Sequence, residues 1–158
     1  MSDAKPEGGI KIICENRKAR YNYSLSDKYE AGIVLTGTEV KSCREGKANL
    51  QDSYAIFKSN ELFLLNANIA VYTQGNRENH EPLRTRKLLM HDHELKKIWS
   101  KIETEGYSLI PLKLYFKRGK VKAEVAIAKG KKAHDKRASI KEREAKRHMQ
   151  KVVKKNQR

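Results

Sequence analysis

Five histidines and two cysteines are the first residues to test for chemistry. His91-Asp92-His93 brings two imidazoles within two positions of each other, a spacing that invites a metal ion. On a helix, residues i and i+2 point about 200° apart and cannot share one ion, so the pair reads as a solvated helix start. Glu103 and Glu105 have the same spacing at the end of a helical pattern, where polar residues are expected. His80, His134 and His148 fall in no ligand or triad spacing. Gly8-Gly9 and the scattered glycines make no phosphate-cradling loop. Cys14 and Cys43 lack CxxC spacing and read as small buried thiols of a reducing compartment. These residues propose no reaction, and neither a cofactor nor a metal is expected.

Cations are the chemistry this chain has in excess. It carries 35 Lys or Arg against 19 acids, a net of +16, far beyond the few charges that solubility needs. Such a surplus calls for a polyanion, and phosphate backbones are the commonest one. Asn16-Arg17-Lys18-Ala19-Arg20 runs straight into Tyr21 and Tyr23, so phosphate contacts would adjoin an aromatic platform; core filling by both tyrosines is the equal alternative. Arg84-Thr85-Arg86-Lys87 precedes a helical pattern, where cations oppose the helix dipole and favour a phosphate partner. A membrane surface would instead want a basic helix with large apolar residues on its other face. No stretch approaches the ~18 to 20 apolar residues of a membrane span. Met1 to Gly9 is polar, with no apolar run behind it, and is expected to be a flexible N-terminus without a signal peptide. An RNA-binding protein of the cytoplasm, not an enzyme, is the expectation.

The elements that must position these residues form a β-rich body over 10–128. Residues 19 to 25 alternate with period two, predicting a strand with Tyr21, Tyr23 and Leu25 on one face. A second strand over 30–36 would follow a polar hairpin turn, and Thr38 to Arg44 would form a short helix ending near Gly46. Tyr54 to Phe57 and Leu62 to Leu65 predict strands joined through Lys58-Ser59-Asn60-Glu61, the second continuing to Tyr72 with a bulge. Residues 73 to 86 read as a surface loop. Leu88, Leu95, Ile98, Trp99 and Ile102 make one apolar helical stripe, with Gly106 just past its end. Ser108 to Phe116 and Val121 to Ala128 predict two more strands joined through Lys117-Arg118-Gly119-Lys120, the second half-buried. About six hairpin-connected strands with a helix spliced in imply a small closed or nearly closed antiparallel barrel.

Residues 129–158 differ in kind. They hold thirteen Lys or Arg against three acids, a net of +10, and no Leu, Phe, Tyr or Trp. Such a segment buries too little apolar area to offset its ordering entropy, so it is expected to be a disordered tail when free. Ser139-Ile140-Lys141-Glu142 nevertheless fits a capping box, and Glu142 and Lys146 make an i, i+4 pair. Ala138, Ala145, Met149 and Val152 form a thin apolar stripe. The expectation is a helix that forms on its target.

Several blocks together resemble one family. Asn16 to Tyr21, Tyr29-Glu30-Ala31-Gly32-Ile33-Val34-Leu35-Thr36-Gly37-Thr38-Glu39-Val40-Lys41-Ser42 and Gly46-Lys47-Ala48-Asn49-Leu50-Gln51-Asp52-Ser53-Tyr54 carry the resemblance. Arg84 to Leu89, Pro111-Leu112-Lys113-Leu114-Tyr115 and Ala128 to Arg137 continue it in order. The chain is similar to the small protein B family, the SsrA-binding proteins. That resemblance implies an oligonucleotide-binding-type barrel with accessory helices. It implies binding of the tRNA-like domain of tmRNA, standing in for the anticodon arm this RNA lacks. Delivery with elongation factor Tu and alanyl-tmRNA to stalled ribosomes, in trans-translation, would follow. By position, Asn16, Glu30 and Leu89 match residues the family uses on tmRNA; Leu89, beside core Leu88 on a helix, would point about 100° away and stay exposed. Arg17, Lys18, Lys131 and Lys132 are added as phosphate contacts. The tail would enter the empty message channel of the small subunit and meet its rRNA. Gly130, His134, Asp135, Lys136 and Arg137 match the family segment near the decoding centre, and Lys141, Arg143 and Met149 extend it. The protein is expected to act as a monomer. The alternative is a barrel-fold RNA-binding translation factor without tmRNA specificity.

Overall fold

A computed structural model describes residues 9–75 and 78–156. Among these residues nine strands and four helices run in the order β1 (Ile10–Glu15), α1 (Ala19–Asn22), β2 (Tyr23–Ile33), α2 (Gly37–Arg44), β3 (Ala48–Asn49), β4 (Tyr54–Lys58), β5 (Glu61–Leu65), β6 (Asn68–Ile69), β7 (Arg86–Leu89), α3 (Asp92–Glu105), β8 (Ser108–Lys117), β9 (Lys120–Gly130) and α4 (Ala133–Asn156). Neighbours pair in the order β1-β8-β4-β5-β7-β2-β9, and β8 also pairs with β9, closing six antiparallel strands into a ring. β1 adds to β8 from outside that ring, and β3 with β6 forms a separate two-stranded ladder. The mainly β barrel of about six strands expected from the alternation is present.

Alternation sets the barrel interior. Leu62 and Leu64 of β5, Leu88 of β7, Leu114 of β8 and Ala123, Val125 and Ile127 of β9 are buried together. Two hairpins fix the register. Ser59 and Asn60 have φ of 52° and 63°, and Arg118 and Gly119 have 52° and 75°. Two consecutive positive φ values suit a type I′ loop, whose twist matches that of the flanking strands. Both hairpins lie where the sequence places them.

Four local expectations are corrected. Residues 19 to 22 are a helical turn, not strand: the Lys18 carbonyl accepts the amides of Tyr21 and Asn22, and Ala19 packs on Ile110 and Ala128. A four-residue alternation is too short to exclude one helical turn. No hairpin separates residues 25 and 30. β2 is continuous, and Ser26-Asp27, between paired Leu25 and Lys28, is the bulge where its register with β9 shifts. The segment after Leu65 does not prolong β5, because Asn68 and Ile69 turn away to pair with β3. Leu88 belongs to β7, and the helix begins only at Asp92, with His91 at its N-cap and Gly106 ending it at φ 71°. The seam of α3 is therefore Leu95, Ile98 and Ile102, with Ile98 fully buried. Trp99 stays 45% exposed, its ring edge-on to Phe57 at 5.3 Å.

A buried ion cluster joins α2 to β7. Thr36 caps α2 with a capping box whose carboxylate partner is Glu39, and Glu39 is fully buried. Glu39 accepts from Arg84 at 2.5 Å, from Arg86 and from the Thr36 amide at 2.8 Å. Arg86 is itself fully buried and donates to the carbonyls of Ala67 at 2.7 Å and Pro82 at 3.0 Å. Burial alone would raise the Glu39 carboxyl. The bonds from Arg84, the Thr36 amide and Arg86 instead hold it below the usual carboxylate range. Arg84 and Arg86 therefore stand neither before a helix nor free for phosphate.

Candidate nucleic-acid interface

Antiparallel pairing of β2 with both β7 and β9 builds one face. Gly32 lies opposite Leu89 on one side and Lys122 on the other. A methyl group on Gly32 would sit 3.4 Å from the Leu89 side chain and 3.7 Å from the Lys122 ammonium, ordinary van der Waals distances, so the two side chains flank this position closely. Strand alternation buries Leu88 and leaves Leu89 51% exposed. The exposure expected of Leu89 is thus present, although by strand geometry and not by helix geometry. Glu30 is two residues away on β2 and accepts from the Tyr115 hydroxyl and from Lys117 Nζ at 3.2 Å. The Tyr115 bond, assisted by Lys117 and Lys122, keeps the Glu30 carboxyl below its ordinary range. Burial and that same bond push the Tyr115 hydroxyl up. Glu30, Leu89, His91, Lys120 and Lys122 line an open groove of about 610 Å³.

That groove offers three kinds of contact. Its lysines suit phosphate, Leu89 offers an apolar surface, and Glu30 is an acceptor held ionised among cations. A carboxylate cannot bind phosphate, so such an acceptor selects hydroxyl or amine donors, as on a ribose or a base edge. Lys117, Lys120, Lys122 and Tyr115 were not singled out from the sequence. The alternation of β9 marks Lys122 as outward-facing, but only the register with β2 brings it beside Glu30.

Asn16, Arg17 and Lys18 lie elsewhere, in the corner between β1 and α1. The Asn16 carboxamide donates to the Pro111 carbonyl at 3.0 Å and its backbone amide to the Leu112 carbonyl at 2.7 Å. Its amide nitrogen thus pins the corner to β8. Arg17 shares a second groove with Arg20, Lys28 and Lys113. Lys18 and Tyr23 line a third, beside Tyr54 and Tyr107. Tyr23 is half-buried against Ala19, Ile110 and Ala128, and Tyr21 is half-buried beneath Lys136. Tyr23 thus partly fills a small core cluster and Tyr21 does not, and neither is a free platform.

Gly130 ends β9, Lys131 and Lys132 form the link, and α4 carries every other residue assigned to the tail. His134 and Asp135 pair at 2.9 Å, and Glu142 and Lys146 at 3.6 Å. Arg137, Lys141, Arg143 and Met149 are exposed. The helix starts at Ala133, six residues before the expected cap; Ser139 lies inside it and donates to the Asp135 carbonyl at 3.0 Å. Glu142 therefore does not close a box with Ser139, and the stripe through Met149 and Val152 faces solvent.

Among the described residues no group of three or more His, Cys, Asp or Glu could hold a metal ion, and no helix is long and apolar enough to cross a membrane. His91 and His93 do stack, at 5.6 Å between ring centroids, because His91 is an extended N-cap and not a helical residue. Burial raises the Cys14 thiol to about 11 and the Cys43 thiol to about 12, and both are free.

The family described as SmpB protein matches residues 13–155. The SsrA-binding protein of Symbiobacterium thermophilum is 54% identical over 97% of this chain and 96% of its own length. That of Trichodesmium erythraeum is 53% identical over 96% of this chain and 98% of its own. A solved chain from work on tmRNA–SmpB at the center of the bacterial ribosome is 50% identical, with a TM-score of 0.64 over 76% of this chain and 85% of that one. The match is nearly end to end and includes both the barrel and the basic helix: the chain belongs to the SmpB family of SsrA-binding proteins.

Proposed function

We propose that this chain binds tmRNA and acts with it at ribosomes in trans-translation. The family match and the solved tmRNA–SmpB relative support this reading. The observation that carries it at the level of residues is the groove where ionised Glu30 and exposed Leu89 stand among lysines. Phosphate contacts fix position, whereas acceptors and apolar contacts discriminate. Lys117, Lys120 and Lys122 are the positioning cations. Glu30 accepts from a ribose hydroxyl or base amine, and Leu89 packs on a sugar or base face. The target is the tRNA-like domain, on which the barrel takes the place of the anticodon arm. Asn16 acts by holding the β1–α1 corner, which presents Arg17 and Lys18.

The tail serves a separate step. Its +10 charge suits a channel lined by RNA and vacated by message, and a filled channel excludes it. His134, Lys136 and Arg137 lie nearest the decoding centre, with Lys141, Arg143 and Met149 deeper along the channel. Alanyl-tmRNA and elongation factor Tu arrive as one complex with the barrel, in the cytoplasm. The test is a competition gel shift at near-physiological salt, with labelled tRNA-like domain and excess bulk tRNA. Retention of the labelled RNA is expected; equal competition by bulk tRNA would leave only a general RNA binder.

A further inference from the structure

Past β6 the chain leaves the sheets, yet side chains fix it to α2. Ser42 of α2 is fully buried and donates to the Ala70 carbonyl at 2.6 Å, while the Ala70 amide donates to the Lys47 carbonyl at 3.0 Å. His80 is buried between the Ile69 carbonyl at 2.8 Å and the Thr38 hydroxyl at 2.9 Å. A carbonyl only accepts, so Nε2 donates there, and in the neutral ring Nδ1 accepts from Thr38. Asn79 closes the segment on itself. Its Oδ1 accepts the Tyr72 amide at 2.9 Å and its Nδ2 donates to the Tyr72 carbonyl at 2.6 Å, in place of a neighbouring strand. A Cβ on Gly75 would lie 2.8 Å from that Asn79 nitrogen and 3.1 Å from the Tyr72 carbonyl oxygen, so glycine leaves room for the clamp. What the clamp presents is Tyr72. The Lys41 ammonium lies 5.5 Å from its ring centre, its hydroxyl donates to Gln74 at 3.0 Å, and the residue is half-exposed. Arg44, three residues on along the same face of α2, is exposed.

We propose that Tyr72, backed by Lys41, is a stacking site for one unpaired RNA base, and that Asn79 is the positioning residue that holds it ready. The proposal rests on the RNA-binding reading above. A cation on one face of a tyrosine ring leaves the opposite face for a base, and every base has a π-face to offer. Arg44 meets the phosphate beside that base. None of the described residues from 70 to 79 is buried, so ordering them adds nothing to the barrel core. Their order instead removes an entropy cost that a mobile loop would incur on binding. The platform is distinct from the Glu30 groove, although α2 borders both: Val40 lines that groove and Lys41 lies against Tyr72. The base belongs either to the tRNA-like domain, on a strand that leaves the groove across α2, or to the ribosomal RNA that the protein meets at the ribosome.

The test uses the full chain with two probes, labelled tRNA-like domain and isolated small ribosomal subunits. Tyr72→Leu removes the plane and keeps an apolar side chain, whereas Tyr72→Phe keeps the plane and loses only the bond to Gln74. Tyr72→Leu should lose at least about fivefold in affinity for one of the probes, the effect of one stacked base. Tyr72→Phe should bind like the unmodified protein. Loss on the tRNA-like domain assigns the base to tmRNA, and loss on the subunit alone assigns it to ribosomal RNA. Urea unfolding followed by Trp99 fluorescence should give Tyr72→Leu and Tyr72→Phe the same midpoint, which separates lost stacking from lost folding. Asn79→Ala should weaken the same probe by less, because the ring remains but is no longer held. Unmodified affinity in Asn79→Ala overturns its positioning role. Tyr72→Leu affinity within about twofold of the unmodified protein, on every probe that protein binds, overturns the platform. An equal loss in Tyr72→Phe overturns stacking as its mechanism. If the unmodified protein binds neither probe, the RNA-binding reading itself fails, and the platform with it.

Discussion

Arg86→Met separates a structural arginine from an RNA contact. Arg86 and Glu39 are both fully buried, and Arg86 also holds the Ala67 and Pro82 carbonyls. Breaking a buried ion pair from one side costs about 3–5 kcal/mol. Each orphaned carbonyl adds about 1 kcal/mol. Arg84 remains on Glu39, and the methionine buries apolar surface, so part of that cost is offset. The expected net loss is about 3–4 kcal/mol, against the 5–15 kcal/mol typical of a domain. With a urea slope of about 2 kcal/mol per molar, the midpoint falls by about 2 M. The assay is urea unfolding followed by Trp99 fluorescence, since the single tryptophan sits on α3 against Phe57. Arg86→Lys keeps the charge but loses the planar fork, and should also be destabilised. A midpoint shift below ~0.5 M for Arg86→Met, with RNA affinity lost, would refute the structural assignment and restore a phosphate contact.

Other perturbations test the remaining parts. The folded carboxyl of Glu39 lies below its ordinary 4.5, so its contribution is complete above that pH and is lost as pH falls through the depressed value. The wild-type urea midpoint should therefore drop below pH 4.5 more steeply than that of Glu39→Gln; parallel profiles would count against the ion cluster. Glu30→Gln should weaken binding of the tRNA-like domain although it makes the protein more positive, and tighter binding would make Glu30 a mere electrostatic penalty. Lys117→Ala with Lys122→Ala should lower the slope of log affinity against log salt by about 1.4 to 1.8; an unchanged slope would remove these lysines from the phosphate path. Burial raises both thiols well above neutral pH, so Cys14 and Cys43 should react slowly with a thiol reagent until the protein is unfolded; fast labelling of the native chain would contradict their packing.

Strands and turns were legible where alternation and turn chemistry agree. The β8–β9 hairpin and the Ser59-Asn60 turn need only local rules, and the helix seam Leu95, Ile98, Ile102 follows from its period. Arg84 and Arg86 were not legible, because nothing local says that Glu39, more than forty residues earlier, will meet them in the interior. Leu88 and Leu89 fit the end of a helical stripe equally well, and only pairing with β5 and β2 makes them strand. Half of the candidate site was readable by the same measure. Glu30 and Leu89 do share a groove, but Lys122 joins them through strand register and Lys117 through its bond to Glu30 from β8, both long-range properties. The start of the tail helix was not legible, because Lys131 reads in sequence as a phosphate contact and its bond to the Arg20 carbonyl is long-range.

If, as proposed, the barrel reads tmRNA and the tail reads the ribosome, a truncation separates the two steps. β9 runs to Gly130, so a cut after Lys132 leaves its ladder with β2 whole. The most direct measurement compares this truncated protein with the full chain, for affinity to the tRNA-like domain under bulk-tRNA competition and for tagging of stalled chains. Comparable, competitor-resistant binding with tagging abolished is expected. Loss of specific binding together with tagging, or tagging that survives the cut, would contradict it.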